Sequence, residues 1–228
     1  PLLRNDGVKT ERRPDFTLDE YKQVYKSLRV WEKDARKGNE TVLRGVLRDY
    51  ILVLANTGIR AGTEAMNLKW KHIAHFEEKG VKYIALHVDG KTGKREVIAR
   101  HSTAYYLNRL RSRTAAWADG SFEDFLKKRL DEYVFRVDKK DMTGAFGKMF
   151  ARFLERYNLL HDTKMGKERT LYSLRHYYAT MALTYERMSI YTLAKHMGTS
   201  VLMIEQHYGH VLLRKKAHQI AGGKNTKG

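Results

Sequence analysis

Four short pieces of this chain carry side chains that could act together on a phosphodiester. They are Thr57, Gly58, Ile59 and Arg60; Gly90, Lys91, Thr92 and Gly93; Leu174, Arg175 and His176; and Met197, Gly198 and Thr199, the last of these nine residues before Tyr208. An oxygen nucleophile that attacks phosphorus builds extra negative charge on the non-bridging oxygens. An enzyme that uses no metal must meet that charge with fixed cations. Arginine suits the task because its planar fork makes paired hydrogen bonds and keeps its proton at neutral pH. The departing oxygen must gain a proton, and a lysine whose pKa is lowered by neighbouring arginines can supply it. A tyrosine hydroxyl can be the attacking group, storing the bond energy in a phosphotyrosyl link so that the reaction runs in either direction without ATP. Its phenol, with a pKa of about 10, needs a proton acceptor or a strong cationic field. His176, His196 and His207 are the candidate acceptors, and sequence does not rank them.

Each piece taken singly has a bland reading. An arginine after a helix stop is usually solvated. The Gly-Lys-Thr-Gly run is ordinary for an exposed hairpin tip, and it lacks the spacing of a Walker phosphate loop. Lys94, three residues on, competes with Lys91 as an active lysine. Arg175 could be a paired interior arginine, and Tyr208 is one of 14 tyrosines. His207 and His210 have no third ligand nearby, so no metal site is expected.

The elements that must position these groups follow from periodicity. Thr17 and Glu20 form a capping box, with Leu18, Tyr21, Val24, Tyr25, Leu28 and Trp31 at helical spacing after it. A second helix from about Thr41 to Ala55 is apolar enough to be central, and stops at Asn56, Thr57 and Gly58. A short helical piece spans about Thr63 to Leu68. Alternation in Val81, Tyr83, Ile84, Leu86 and Val88, then Val97 and Ile98, predicts a β-hairpin with Lys91 in its turn. Helices are expected near 102–115, 121–130, 143–157, 173–186, 189–197 and 199–208, with polar connections at 158–170 and 211–228. There is no internal repeat. The fold class is therefore α+β and mainly helical, arranged as an arm over 1–16, one domain over 17–210 and a tail over 211–228.

Composition narrows the partners. The 228 residues are 42% hydrophobic, enough for one sizeable core. Forty-four Lys and Arg against 26 Asp and Glu give a formal charge of +18, spread along the chain, which draws in a polyanion. Nucleic acid is the first candidate, although a basic ribosomal or membrane-surface protein would share the charge. The chain has no cysteine, which excludes disulfide frameworks and Cys-ligated zinc or iron. No apolar run approaches the ~20 residues that span a bilayer. A cytoplasmic location is expected, with the DNA.

The order of the four pieces resembles the tyrosine recombinase family, which includes phage integrases and chromosome-dimer resolvases, over nearly the whole chain from about residue 15. The resemblance implies a mainly helical catalytic domain with a small antiparallel sheet. It also implies Tyr208 as nucleophile, Arg60 and Arg175 as the phosphate clamp, and Lys91 as general acid to the leaving 5′-oxygen. No cofactor is implied. Three positions depart from the pattern. Tyr172 stands where the family has histidine or lysine, and its hydroxyl can donate to phosphate but cannot act as a base near neutrality. Thr199 stands where histidine or tryptophan is usual, keeping a donor while losing any proton-transfer role, for which His196 could compensate. Glu64 lies one residue further from Arg60 than usual, with Gly62 between, which weakens the case for it as the arginine's partner.

The expected function is site-specific recombination of double-stranded DNA for integration or excision of a mobile element. The rivals are a type IB topoisomerase and a catalytically silent DNA-binding protein on the same scaffold. Family members assemble as tetramers on two DNA sites, with the segment after the tyrosine docked on a neighbour; Val211 to Ile220 could do this here. DNA-bending accessory proteins are further possible partners. A core-binding domain of ~100 residues usually precedes the catalytic domain, and the chain is expected to be a fragment that begins at the linker between them.

Overall fold

The computed structural model describes residues 14–36, 38–90, 93–215 and 220–221. Helix α1 (Leu18–Lys33) opens on the expected capping box: the Glu20 amide donates to Thr17 Oγ1 at 3.2 Å and the Thr17 amide to Glu20 Oε2 at 2.8 Å. It buries Val24, Leu28 and Trp31 against α2 (Asn39–Thr57), whose second half, from Val46 onward, is almost wholly enclosed. That enclosure explains why α2 shows little amphipathic pattern. Helices α1, α3 (Ser102–Arg111) and α6 (Leu171–Thr184) cover it on different sides. Phe16, ahead of α1, sits in the same core at 1% exposure.

The sheet has three antiparallel strands in the order β1 (Ile73–Glu78), β2 (Val81–Gly90) and β3 (Gly93–Ala99). The hairpin expected from sequence is β2–β3, paired Ala85 to Ile98 and Gly90 to Gly93. Strand β1 was not expected. It is an edge strand with only Ile73 fully buried, so it carries no apolar alternation; Phe76 stacks on Tyr83 of β2 at 5.3 Å.

Helices α4 (Phe122–Lys127) and α5 (Thr143–Arg156) complete the large core with Phe125, Phe146, Phe150 and Phe153. α4 and α3 are each shorter than their periodic stretches. α4 ends ahead of Arg129, where φ is +50°, and α3 ends at Arg111, ahead of a short 3-10 piece over Ala115–Trp117. The 158–170 connection is polar but not superficial. Arg169, 2% exposed, donates to Glu20 at 2.7 Å and to the carbonyls of Asp15, Leu159 and His161.

Helix α6 is buried nearly all round because it serves two cores. Leu171, Leu174, Tyr177 and Met181 face the large one, while Tyr178, Ala179, Ala182 and Leu183 face a small one. The small cluster is completed by α7 (Ile190–Met197) and α8 (Val201–Lys215), through Leu193, Ala194, Met197, Ile204 and Tyr208. α8 runs past 208, so residues 211–215 are helix and not part of the polar connection expected over 211–228. Most of the remaining tail lies outside the described residues. No helix among the described residues is long and apolar enough to cross a membrane.

Candidate active site

Two helices end in left-handed glycines, and both ends face the same place. Gly58 caps α2 at φ +67°, and a Cβ there would lie 2.4 Å from the Tyr178 ring, so only glycine fits. Gly198 caps α7 at φ +62°. The last carbonyls of a helix lack intrahelical partners and carry the negative end of its dipole. At α7 three arginines from three different elements meet them. Arg95 of β3 donates to the His196 carbonyl at 2.9 Å, Arg175 of α6 to Met197 at 2.6 Å, and Arg60 to Gly198 at 2.7 Å. Arg175 also donates to the Gly58 carbonyl, joining both helix ends. Burial opposes the charge on Arg175 and, with Arg60 and Arg95 nearby, lowers its pKa. A guanidinium starts high enough to stay protonated at neutral pH.

One carboxylate balances this group. Glu64, whose side chain is fully buried, receives Arg95 through both Nη atoms at 2.7 and 2.8 Å, the Arg60 amide at 2.8 Å, and the Arg60 guanidinium. Burial alone would push its carboxyl up; these bonds outweigh it and hold it down to about 2. The partnership survives the extra residue between Arg60 and Glu64 because Ala61–Ala65 winds as a π-helical turn. Its closing bond runs from the Ala65 amide to the Arg60 carbonyl, five residues back, at 3.0 Å. The wider turn absorbs one residue, which corrects the expectation that the acid is out of step.

The third component is a cleft of about 90 Å³ lined by Tyr172, Arg175, His176, Thr199, His207 and Tyr208, with Met197, Met203 and Ile204 as its apolar wall. Tyr208 projects from α8 into it and is 5% exposed; its hydroxyl lies 2.6 Å from His176 Nδ1. Tyr172, in the first turn of α6, places its ring edge-on to His176 at 5.2 Å. Thr199 is fixed by its amide, which donates to the Ala194 carbonyl at 3.0 Å just past the Gly198 cap.

No protein-family model matches the chain, and no curated protein does. Solved structures do match in three dimensions. The XerH site-specific recombinase bound to its difH substrate superposes with a TM-score of 0.60 at 18% identity, over 86% of this chain and 51% of that one. The Tn1549 transposon integrase in complex with transposon right-end DNA gives 0.56 at 19%, over 93% of this chain and 67% of that one. The chain has the tyrosine recombinase catalytic fold. XerA recombinase shares it, with a TM-score of 0.53 at 17% identity over 92% of this chain. The chain spans about half the length of XerH, 51%.

Within this recombinase fold, Arg60 and Arg175 converge on one helix end, and Arg175, Tyr172, Thr199 and Tyr208 share one cleft. Lys91, with Thr92, lies outside the described residues; the Gly90–Gly93 pair on either side of it closes the β2–β3 ladder. Lys94, the competing lysine, instead lines an open cleft of about 600 Å³ with Asp89, Glu96 and His87. His196 is not among the residues that line the cleft. Its Nε2 is 3.0 Å from the Thr57 carbonyl and 2.9 Å from the Tyr178 hydroxyl, and burial lowers its pKa to about 4, so it holds α7 to the end of α2. Arg95 was missed. It follows the β3 alternation, on the same face as buried Val97 and Ala99, and an arginine on an inward face needs a buried acid such as Glu64.

Proposed function

We propose that the chain is the catalytic domain of a site-specific DNA recombinase that cleaves and rejoins one strand at a time through a 3′-phosphotyrosyl link on Tyr208. One observation carries the reading: a tyrosine hydroxyl shares a small cleft with a buried arginine, and a second arginine is anchored on the adjoining carbonyl of the same helix end. Each guanidinium carries five N–H donors, and the bonds that anchor it use two of them. The same groups can therefore brace the backbone and still face the non-bridging oxygens of a phosphodiester. Because the anchors are in place before DNA arrives, the clamp needs no reorganisation as charge develops.

In this reading Tyr208 Oη attacks phosphorus while Arg60 and Arg175 hold the non-bridging oxygens. Tyr172 and Thr199 supply neutral hydroxyl donors where the family has basic or indole side chains. Lys91 protonates the departing 5′-oxygen, leaving a 5′-hydroxyl that attacks the phosphotyrosine of another strand in the reverse step. The +18 charge supports double-stranded DNA as the partner. Assembly as a tetramer on two sites, help from DNA-bending proteins, and use by a mobile element belong to the same proposal. A silent DNA-binding protein is the second reading, favoured by Tyr172 and Thr199.

The test is incubation with nicked suicide duplexes, with the attachment sequence selected from a randomised pool, followed by a denaturing gel. A covalent band is expected for the wild type and none for Tyr208→Phe. Salt-sensitive DNA binding with no band in either would favour the silent scaffold. Plasmid relaxation without exchange between sites would favour a topoisomerase.

A further inference from the structure

We propose that His176 is the group that takes the phenolic proton of Tyr208, within the same chain; this rests on the recombinase reading above. The position where the family places histidine or lysine holds Tyr172 instead. One turn further along α6, on the same face, stands His176. Its Nδ1 lies 2.6 Å from the Tyr208 hydroxyl in a buried contact, and Tyr172 packs edge-on against its ring. The hydroxyl of α8 meets the imidazole there.

The groups facing His176 agree with this role. From α6 they are Tyr172 and Arg175; from α8, Tyr208 and His207, whose ring is 5.9 Å away. From α7 and the turn after it come Met197 and Thr199, which do not titrate near neutrality. Only a neutral imidazole can accept a proton. In the tautomer with hydrogen on Nε2, Nδ1 accepts the Tyr208 O–H. On attack the proton passes to Nδ1 and the Oη–P bond forms. The P–O5′ bond breaks with its electron pair on oxygen, and that oxygen takes a proton from the general acid. The arriving phosphate offsets the imidazolium so formed. In rejoining, Nδ1–H returns its proton to the departing phenolate.

Adduct formation on the suicide duplex tests this with His176→Phe, which keeps a ring in the cleft and removes the acceptor. The rate is expected to fall about 10²- to 10⁴-fold at pH 7, and to climb roughly tenfold per pH unit towards the pKa of the phenol, near 10. Placing 2,3-difluorotyrosine at position 208, an easier phenol to ionise, should recover much of the loss. A His176→Phe rate that neither pH nor fluorination rescues would overturn the proposal and leave His176 a packing residue. A second measurement needs neither DNA nor the variant. Nitrogen-15 NMR of the imidazoles in the wild-type chain should show His176 with its hydrogen on Nε2. A ring protonated on Nδ1 overturns the proposal whatever the adduct assay gives, whereas an Nε2–H ring with no wild-type adduct sinks the recombinase reading and with it the proposal.

Discussion

The chain packs as two regions of unequal strength that share α6. The larger gathers Trp70, Tyr50 and four buried phenylalanines from α4 and α5 around α2, with rings in edge contacts such as Trp31 to Phe153 at 5.4 Å. Among the described residues the smaller has nine buried, three of them alanine, and includes Tyr208 itself. Arginines of the first region reach across: Arg60 and Arg95 start from the large core and end on the carbonyls of Gly198 and His196 at the end of α7. Tyr208, the proposed nucleophile, therefore sits on the thinly packed side, and three arginines tie that side to the rest. Regions with few buried apolar contacts open at low free energy. In the proposed reaction, where Tyr208 approaches and leaves a phosphate, the thinner packing of α8 would allow the movement while the arginines stay anchored.

The comparison breaks most directly in the large core. Phe153→Ala should cost about 3–5 kcal/mol and lower a single global unfolding transition, read by calorimetry. A small, local effect would mean that the two regions are of similar weight. Acid titration should separate them next. The Glu64 carboxyl is depressed in the folded chain, so its contribution is full above its unfolded value of about 4.5 and is lost as pH falls towards about 2. That contribution is on the order of 3 kcal/mol and should vanish in Glu64→Gln. His196 is likewise depressed, to about 4 from 6.5, so its support for α7 is present above pH 6.5 and fades as pH falls through 4. Near-ultraviolet dichroism and amide exchange along a pH series should show the small region loosening first. The smallest effect is Ile204→Val, expected to cost about 0.5–1.5 kcal/mol. It should speed amide exchange in α7 and α8 while leaving α2 unchanged; equal acceleration in α2 would mean that the regions open together.

Much of this was legible in the sequence where local chemistry decides. The Thr17 box, the apolar run of α2 and the β2–β3 alternation are local signals, and the structure follows them. Arg60, Arg175 and Tyr208 were picked out by motif order; in the fold Arg60 and Arg175 end on neighbouring carbonyls and Arg175 lines the cleft that holds Tyr208. What escaped depends on partners distant in sequence. β1 is a strand because β2 offers it hydrogen bonds, not because its own residues alternate. Arg95 is a site residue only because Glu64, 31 positions away, is buried against it. The three histidines could not be ranked because which one meets a phenol depends on how α7 and α8 fold back on α6.

The wide turn at Ala61–Ala65 has a consequence for length variation. An insertion inside a helix would rotate every later residue by about 100° and swing a following acid away from its arginine. Here the extra residue is spent in one loose winding that ends at Met66, and Met66 and Leu68 reach the core in register. The turn works as a shim. Deleting Gly62, whose added Cβ would meet nothing closer than 3.8 Å, should tighten it to ordinary α winding and leave the Arg60–Glu64 pair intact. A catalytic segment can thus gain or lose one residue without changing what it holds.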